Sequence, residues 1–82
     1  MAETIHEFFL IKATSKVTGN VHYVEVDDEG FISLVDKKTK ATMFTTRNNA
    51  LKGIKRYCED EETHEYTVDS VMMSSEEFMT EH

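Results

Sequence analysis

Four histidines and one cysteine are the side chains of this sequence best suited to metal binding or nucleophilic chemistry. The histidines, His6, His22, His64 and His82, are scattered singly, outside the spacings typical of metal sites. His22 and His64 could meet only on neighbouring strands, where hydrogen-bonded histidines are the usual outcome. Cys58 lies among the apolar positions of a predicted helix, which favours a buried, inert thiol. We therefore expect no enzyme, no metal site and no cofactor.

Length and composition predict one small globular domain over residues 1–82. A lone cysteine excludes an internal disulfide and favours a reducing, cytoplasmic compartment. The apolar run 8–11 is too short for a signal core or a membrane span, so no membrane association is expected. A core of this size leaves little room for an enclosed cleft, so binding on an outer surface is the favoured activity of a monomer or small homo-oligomer.

The charges are segregated along the chain although the total is only −7. Residues 1–36 carry a net charge of −5, residues 37–56 carry +7 without an acid, and residues 59–82 carry −9 without a base. Such segregation by sign bears on partners and solubility. It defines a basic segment, 37–56, and an acidic segment, 59–77.

The acidic segment could imitate a row of phosphates and occupy the basic groove of another protein. A negatively charged protein would be steered quickly to such a groove. The candidate partner-binding residues are Glu59, Asp60, Glu61, Glu62, Glu65 and Asp69. The alternative is that these acids are a solvated surface that keeps a small protein soluble.

The basic segment supports a different function, direct binding of nucleic acid through phosphate contacts. Its candidate residues are Lys37, Lys38, Lys40, Arg47, Lys52, Lys55 and Arg56. They form one patch only if the loop and the helix face the same way. The alternative is that the basic side of the helix balances the acids of the same fold, and direct nucleic-acid binding is the less favoured of the two functions.

The stretch 41–58 organises the fold because it carries the main helix. The residues at helical three- and four-residue intervals are Ala50, Leu51, Ile54, Tyr57 and Cys58. They predict a helix over 47–58 with one packing face and with Thr45 or Thr46 as its cap. Gly53 costs roughly 1 kcal/mol in a helix interior, which suggests close backbone approach to a strand or partner, unless it is merely tolerated.

Turn signals separate four predicted strands that precede the helix. Strands are expected from residue 6, as the central strand, and over 21–26, 31–35 and 41–44, with turns at 16–20, 27–30 and 36–40. A last strand over 63–68 returns beside the first, 71–73 continue it or cover an edge, and 74–77 resemble a helix start. Residues 79–82 are expected to be a frayed tail.

The predicted fold is therefore α+β. It has an antiparallel sheet of four to five strands, one main helix packed on one face, and β-β-β-β-α-β order. The expected core residues are Leu10, Ile11, Val24, Ile32, Leu34, Phe44, Leu51, Ile54 and Tyr66.

Two resemblances to known families include the stretch 41–58. Gly30-Phe31, residues 41–44 and Thr46 leading into the helix resemble the three-strand-plus-helix layout of AP2-type and phage-integrase arm-binding domains over residues 21–58. That resemblance implies a sheet lying in the DNA major groove, but strands two and three carry acids and lack Arg, Lys and Trp, which would repel phosphates.

In general style, the whole chain also resembles small acidic α+β accessory proteins of phages and mobile elements. These include anti-CRISPR and anti-restriction inhibitors. This resemblance implies a non-enzymatic, phage-type inhibitor that acts in the cytoplasm of the host cell. Its partner would be a host nuclease or defence effector with a basic nucleic-acid groove, occupied by the acidic surface.

Overall fold

The computed structural model describes residues 5–58 and 62–74. In them, a four-stranded antiparallel sheet carries one α-helix, as the predicted α+β class requires. The strands are β1 (Ile5–Ser15), β2 (Val21–Val26), β3 (Ile32–Val35) and β4 (His64–Ser74). A short 3-10 helix (Lys38–Lys40) and α1 (Arg47–Tyr57) lie between β3 and β4. The strand order β3-β2-β1-β4 puts β1 in the interior of the sheet, as the apolar residues on both of its faces predict.

Glycines at positive φ shape the two turns that lead into β2 and β3. Gly19 has φ +77° and Gly30 has φ +90°, a region that costs a side chain strain. At the second turn, Asp27 Oδ1 accepts the amide N–H groups of Glu29 and Phe31, each at 2.9 Å. The predicted meander is thus present through β3.

The last strand is longer than predicted. It pairs with β1 along eleven residues, from Ile5 opposite Ser74 to Ser15 opposite His64. The strand therefore includes 71–73 and ends at Ser74, a residue that the sequence assigned to a helix start. The rest of that predicted helix and the tail 79–82 lie outside the described residues.

The stretch 41–44 is the main difference from the prediction, because it forms a single bridge and not a strand. Phe44 and Phe9 exchange two backbone hydrogen bonds, at 2.7 and 2.8 Å. Thr42 N–H donates to the carbonyl of Val24 at 3.1 Å, and its hydroxyl accepts the N–H of Val26 at 2.7 Å. The physical reason is that β2 pairs with β1 only through Val21, His22 and Tyr23. Residues 42–44 supply backbone partners beyond that point, and the described element order is β-β-β-α-β.

The chain crosses from one face of the sheet to the other through this stretch. Leu10 and Ile11 are both fully buried, and as neighbours on a strand they face opposite sides. Asp69, opposite Leu10 in β4, contacts Lys38 of the 3-10 helix. A Cβ placed on Gly53 of α1 would lie 3.3 Å from Ile11. The 3-10 helix and α1 therefore cover opposite faces of the sheet.

The helix begins as predicted, because Thr46 accepts the N–H of Asn49 on its hydroxyl at 3.1 Å. It ends at Tyr57, one residue earlier than predicted, and packs on β1 and β4. Its buried residues are Ala50 and Gly53. The close backbone approach suggested for Gly53 is confirmed. No helix in residues 5–58 and 62–74 has the length and apolar character needed to span a membrane.

Two of the core assignments are wrong. Leu34 is 40% exposed because β3 is an edge strand, and Leu51 is 45% exposed because the buried residues of α1, Ala50 and Gly53, lie on another side of the helix. The other assigned positions are buried or pack against the core. They are Leu10, Ile11, Val24, Ile32, Phe44, Ile54 and Tyr66.

Candidate binding surfaces

The structure describes half of the acidic residues assigned to partner binding. Glu62 and Glu65 are exposed, and neither forms an ion pair with another described residue. Asp69 is different, because it lies on β4 beneath the 3-10 helix with its side chain one-third exposed. The remaining three candidates, Glu59, Asp60 and Glu61, lie outside the described residues.

Asp69 is engaged inside the fold by Lys38. Lys38 Nζ lies 3.0 Å from Asp69 Oδ2 and donates to the carbonyl of Ser70 at 3.3 Å. Burial alone would raise the pKa of Asp69. Hydrogen bonds from Lys38 and from the Ser70 N–H, with the charges of Lys38 and Lys12, outweigh it and lower that pKa. This pair ties the 3-10 helix to the sheet and removes Asp69 from the freely available acids.

The seven basic candidates do not share one face. Lys38 lies over the face of the sheet opposite α1, with its Nζ 5.9 Å from the ring centroid of Tyr23. Lys37 and Lys40 are exposed beside it. The other four belong to α1. Lys38 of the loop and the cations of the helix therefore lie on opposite faces of the sheet.

The cations of α1 are exposed and form no ion pair with an acid in the described part of the chain. The helix, RNNALKGIKRY, contains no acid, and its cations are Arg47, Lys52, Lys55 and Arg56. None of the four forms an ion pair with a residue in 5–58 or 62–74, where the ion pairs found are Lys38–Asp69 and His22–Asp36. At 100° per residue, Lys52, Lys55 and Arg56 share the solvent-facing side of the helix. This side of the helix is therefore basic and faces solvent.

A shallow groove runs along one side of α1 next to these cations. Its volume is about 240 Å³, and we name it the α1 groove. The lining residues are Phe44, Asn49, Lys52, Gly53, Arg56 and Tyr57. It combines two aromatic rings, two cations and a carboxamide, and none of its described lining residues is an acid. Arg56 lies over Tyr57, with 5.5 Å between the guanidinium carbon and the ring centroid.

Sequence reasoning missed this groove because Phe44 was read only as a core residue and Tyr57 only as part of the packing face. Both rings are partly buried against the core and still line the groove. The helical spacing of Asn49, Lys52 and Arg56 is the signal that could have found it, since those positions fall on one side of a helix.

The residues considered for catalysis are not brought together. His22 Nε2 lies 3.4 Å from Asp36 Oδ1, and His64 Nδ1 lies 2.9 Å from the Thr63 hydroxyl. Strand β1 separates their strands, so His22 and His64 do not meet. Cys58 is buried, as predicted, and burial raises the pKa of its thiol to about 11.

Within the described ranges, no three His, Cys, Asp or Glu residues cluster closely enough to hold a metal ion. Comparison with known proteins finds no matching family model, no matching curated protein and no matching solved structure.

Proposed function

We propose that this protein is a non-enzymatic binding protein whose helix α1 contacts the phosphates of nucleic acid. The observation that carries the proposal is the set of four exposed cations on an acid-free helix. None of them is ion-paired to another residue that the structure describes. Lysine and arginine side chains presented in this way neutralise phosphates and release their counterions.

The acidic residues elsewhere limit the affinity without preventing binding. Exposed charges are screened over about 8 Å at physiological ionic strength, so the acids affect α1 mainly where they lie close to it. The net charge of −7 still opposes long-range attraction of a polyanion. We therefore expect moderate, salt-sensitive affinity and not tight binding.

Fluorescence titration with mixed-sequence single strands and duplexes tests this function. The titrations are made at low and physiological salt, about 0.05 and 0.15 M. Wild-type protein should bind, and its affinity should fall as salt increases. The logarithm of the binding constant against the logarithm of the salt concentration should have a slope of about −0.9 for each phosphate neutralised on a duplex. The absence of binding at both salt concentrations would contradict the proposal.

A charge-matched pair of variants separates the helix from net charge. Lys52→Glu with Arg56→Glu should abolish binding, because both cations border the α1 groove. Lys37→Glu with Lys40→Glu makes the same change in net charge beside the 3-10 helix and should retain most of the affinity. Equal losses in the two double variants would mean that only total charge matters.

A second candidate function is the phage-type inhibitor that occupies the nucleic-acid groove of a host nuclease or defence effector. It is supported by the exposure of Glu62 and Glu65, which are free of ion pairs to the other described residues. Such a partner captured from host lysate should be released by competing DNA or RNA. Charge reversal at Glu61, Glu62 and Glu65 together should abolish capture, and intact capture would exclude the acidic surface as the contact.

A further inference from the structure

We infer that the α1 groove holds an unpaired nucleotide, so that the protein prefers single-stranded nucleic acid to duplex. This inference rests on the proposed function and specifies its substrate class. The groove would take one base against its aromatic floor and the adjoining phosphate between Lys52 and Arg56. The chemistry of the lining and the shape of the groove support it independently.

The lining suits both parts of a nucleotide. Phe44 and Tyr57 line the groove with aromatic surface, and contact with aromatic side chains is the usual way in which proteins hold the bases of single strands. Lys52 and Arg56 are one helical turn apart and both border the groove, so they can contact the phosphate next to the stacked base. Asn49 adds a carboxamide that can donate and accept hydrogen bonds.

Gly53 lets α1 pack closely on the aromatic floor of the groove between the two cations. A Cβ at this position would lie 2.9 Å from Cζ of Phe44 and 3.3 Å from Cδ1 of Ile11. A side chain there would therefore collide with the aromatic floor. The volume of about 240 Å³ is smaller than the roughly 300–1,000 Å³ of pockets for drug-sized ligands, so it suits a single base and not a large cofactor.

The turn that contacts Tyr57 is followed directly by an exposed aromatic residue. Phe31 is 67% exposed, and it follows Gly30, whose backbone lies against the Tyr57 ring: a Cβ there would be 3.6 Å from Tyr57 Cε1. An exposed aromatic at this place offers a stacking surface to a neighbouring base. In a duplex, bases are paired and stacked on one another, so these rings can engage only unpaired bases.

Three labelled ligands at one salt concentration test the preference. They are a thymidine oligonucleotide, an abasic strand with the same number of phosphates, and a duplex. Wild-type protein should bind the thymidine strand about tenfold more tightly than the abasic strand, as expected for one stacked base. The duplex should also bind more weakly than the thymidine strand. These comparisons need no variant and so do not depend on the folding of one.

Tyr57→Leu should lower thymidine-strand affinity to the abasic level and leave abasic binding unchanged. Tyr57→Phe keeps the ring and should retain the wild-type preference. Equal affinity of wild-type protein for thymidine and abasic strands would overturn the inference while leaving phosphate binding by α1 intact. Failure to bind all three ligands would overturn the proposed function as well.

Discussion

Gly53 of α1 lies against the ring of Phe44, so close that an added Cβ would stand 2.9 Å from Phe44 Cζ. The Phe44 backbone is hydrogen-bonded in both directions to Phe9, so an added Cβ could be accommodated only by movement of the ring or of the helix. The absence of a side chain at residue 53 thus allows this short distance between the helix and Phe44, whose ring forms part of the floor of the α1 groove.

Gly53→Ala should lower stability, although the same change at an open helix position gains about 1 kcal/mol. Overpacking of a closed site costs about 1–3 kcal/mol, which exceeds the gain in helix propensity. Urea unfolding should therefore show a net loss of about 1 kcal/mol. Asn48→Ala, on the exposed side of α1, is the control and should be neutral or slightly stabilising. A clear gain in stability for Gly53→Ala would show that the Phe44 ring moves aside easily.

Leu51→Ala and Ile54→Ala should differ, although both residues fit the apolar spacing of the helix. Leu51 is 45% exposed, so its truncation should cost less than about 1 kcal/mol. Ile54 packs against the core cluster, and its truncation should cost about 2 kcal/mol or more. Chemical denaturation of the two variants measures the difference. Equal losses would mean that the orientation of α1 is wrong.

Thr42→Val should destabilise the protein by about 1–3 kcal/mol, because it leaves the Val26 N–H without its acceptor. The hydroxyl receives that N–H at 2.7 Å, at the point where β2 has left β1. Thr42→Ser keeps the hydroxyl and is the matched control, with a smaller loss expected. Thermal unfolding compares them, and a Val variant as stable as the Ser variant would show that the hydrogen bond contributes nothing.

Lys38→Ala should alter the response of stability to acid. In the wild type the pKa of Asp69 is lowered below its ordinary value of 3.8 in the folded state. The ionised pair therefore contributes stability above the unfolded pKa, which is lost as pH falls through the folded pKa. Without Lys38, only burial, the Ser70 N–H and the charge of Lys12 act on Asp69, so its pKa should rise. The loss of stability on acidification should then be smaller. Carboxyl NMR titration and melting at several pH values measure both effects, with Lys37→Ala as the control.

Local sequence signals determined most of the secondary structure and the α+β class. The runs of apolar, β-forming residues in β1 and β2, the glycines at the turns and the Thr46 cap act within a few residues, so they can be recognised without knowledge of the partners. The basic character of α1 and the exposure of its cations also followed from composition and helical spacing.

Tertiary structure decided what the stretch 41–44 does and which side chains share a surface. Its apolar residues fit a strand pattern. Because β2 diverges from β1, the stretch instead carries the chain from one face of the sheet to the other. That crossing separates Lys38 from the cations of α1 and places it beside Asp69. It also brings Phe44 under Gly53, where the α1 groove forms. These outcomes depend on contacts between residues far apart in the chain, whereas periodicity reports only the environment of near neighbours.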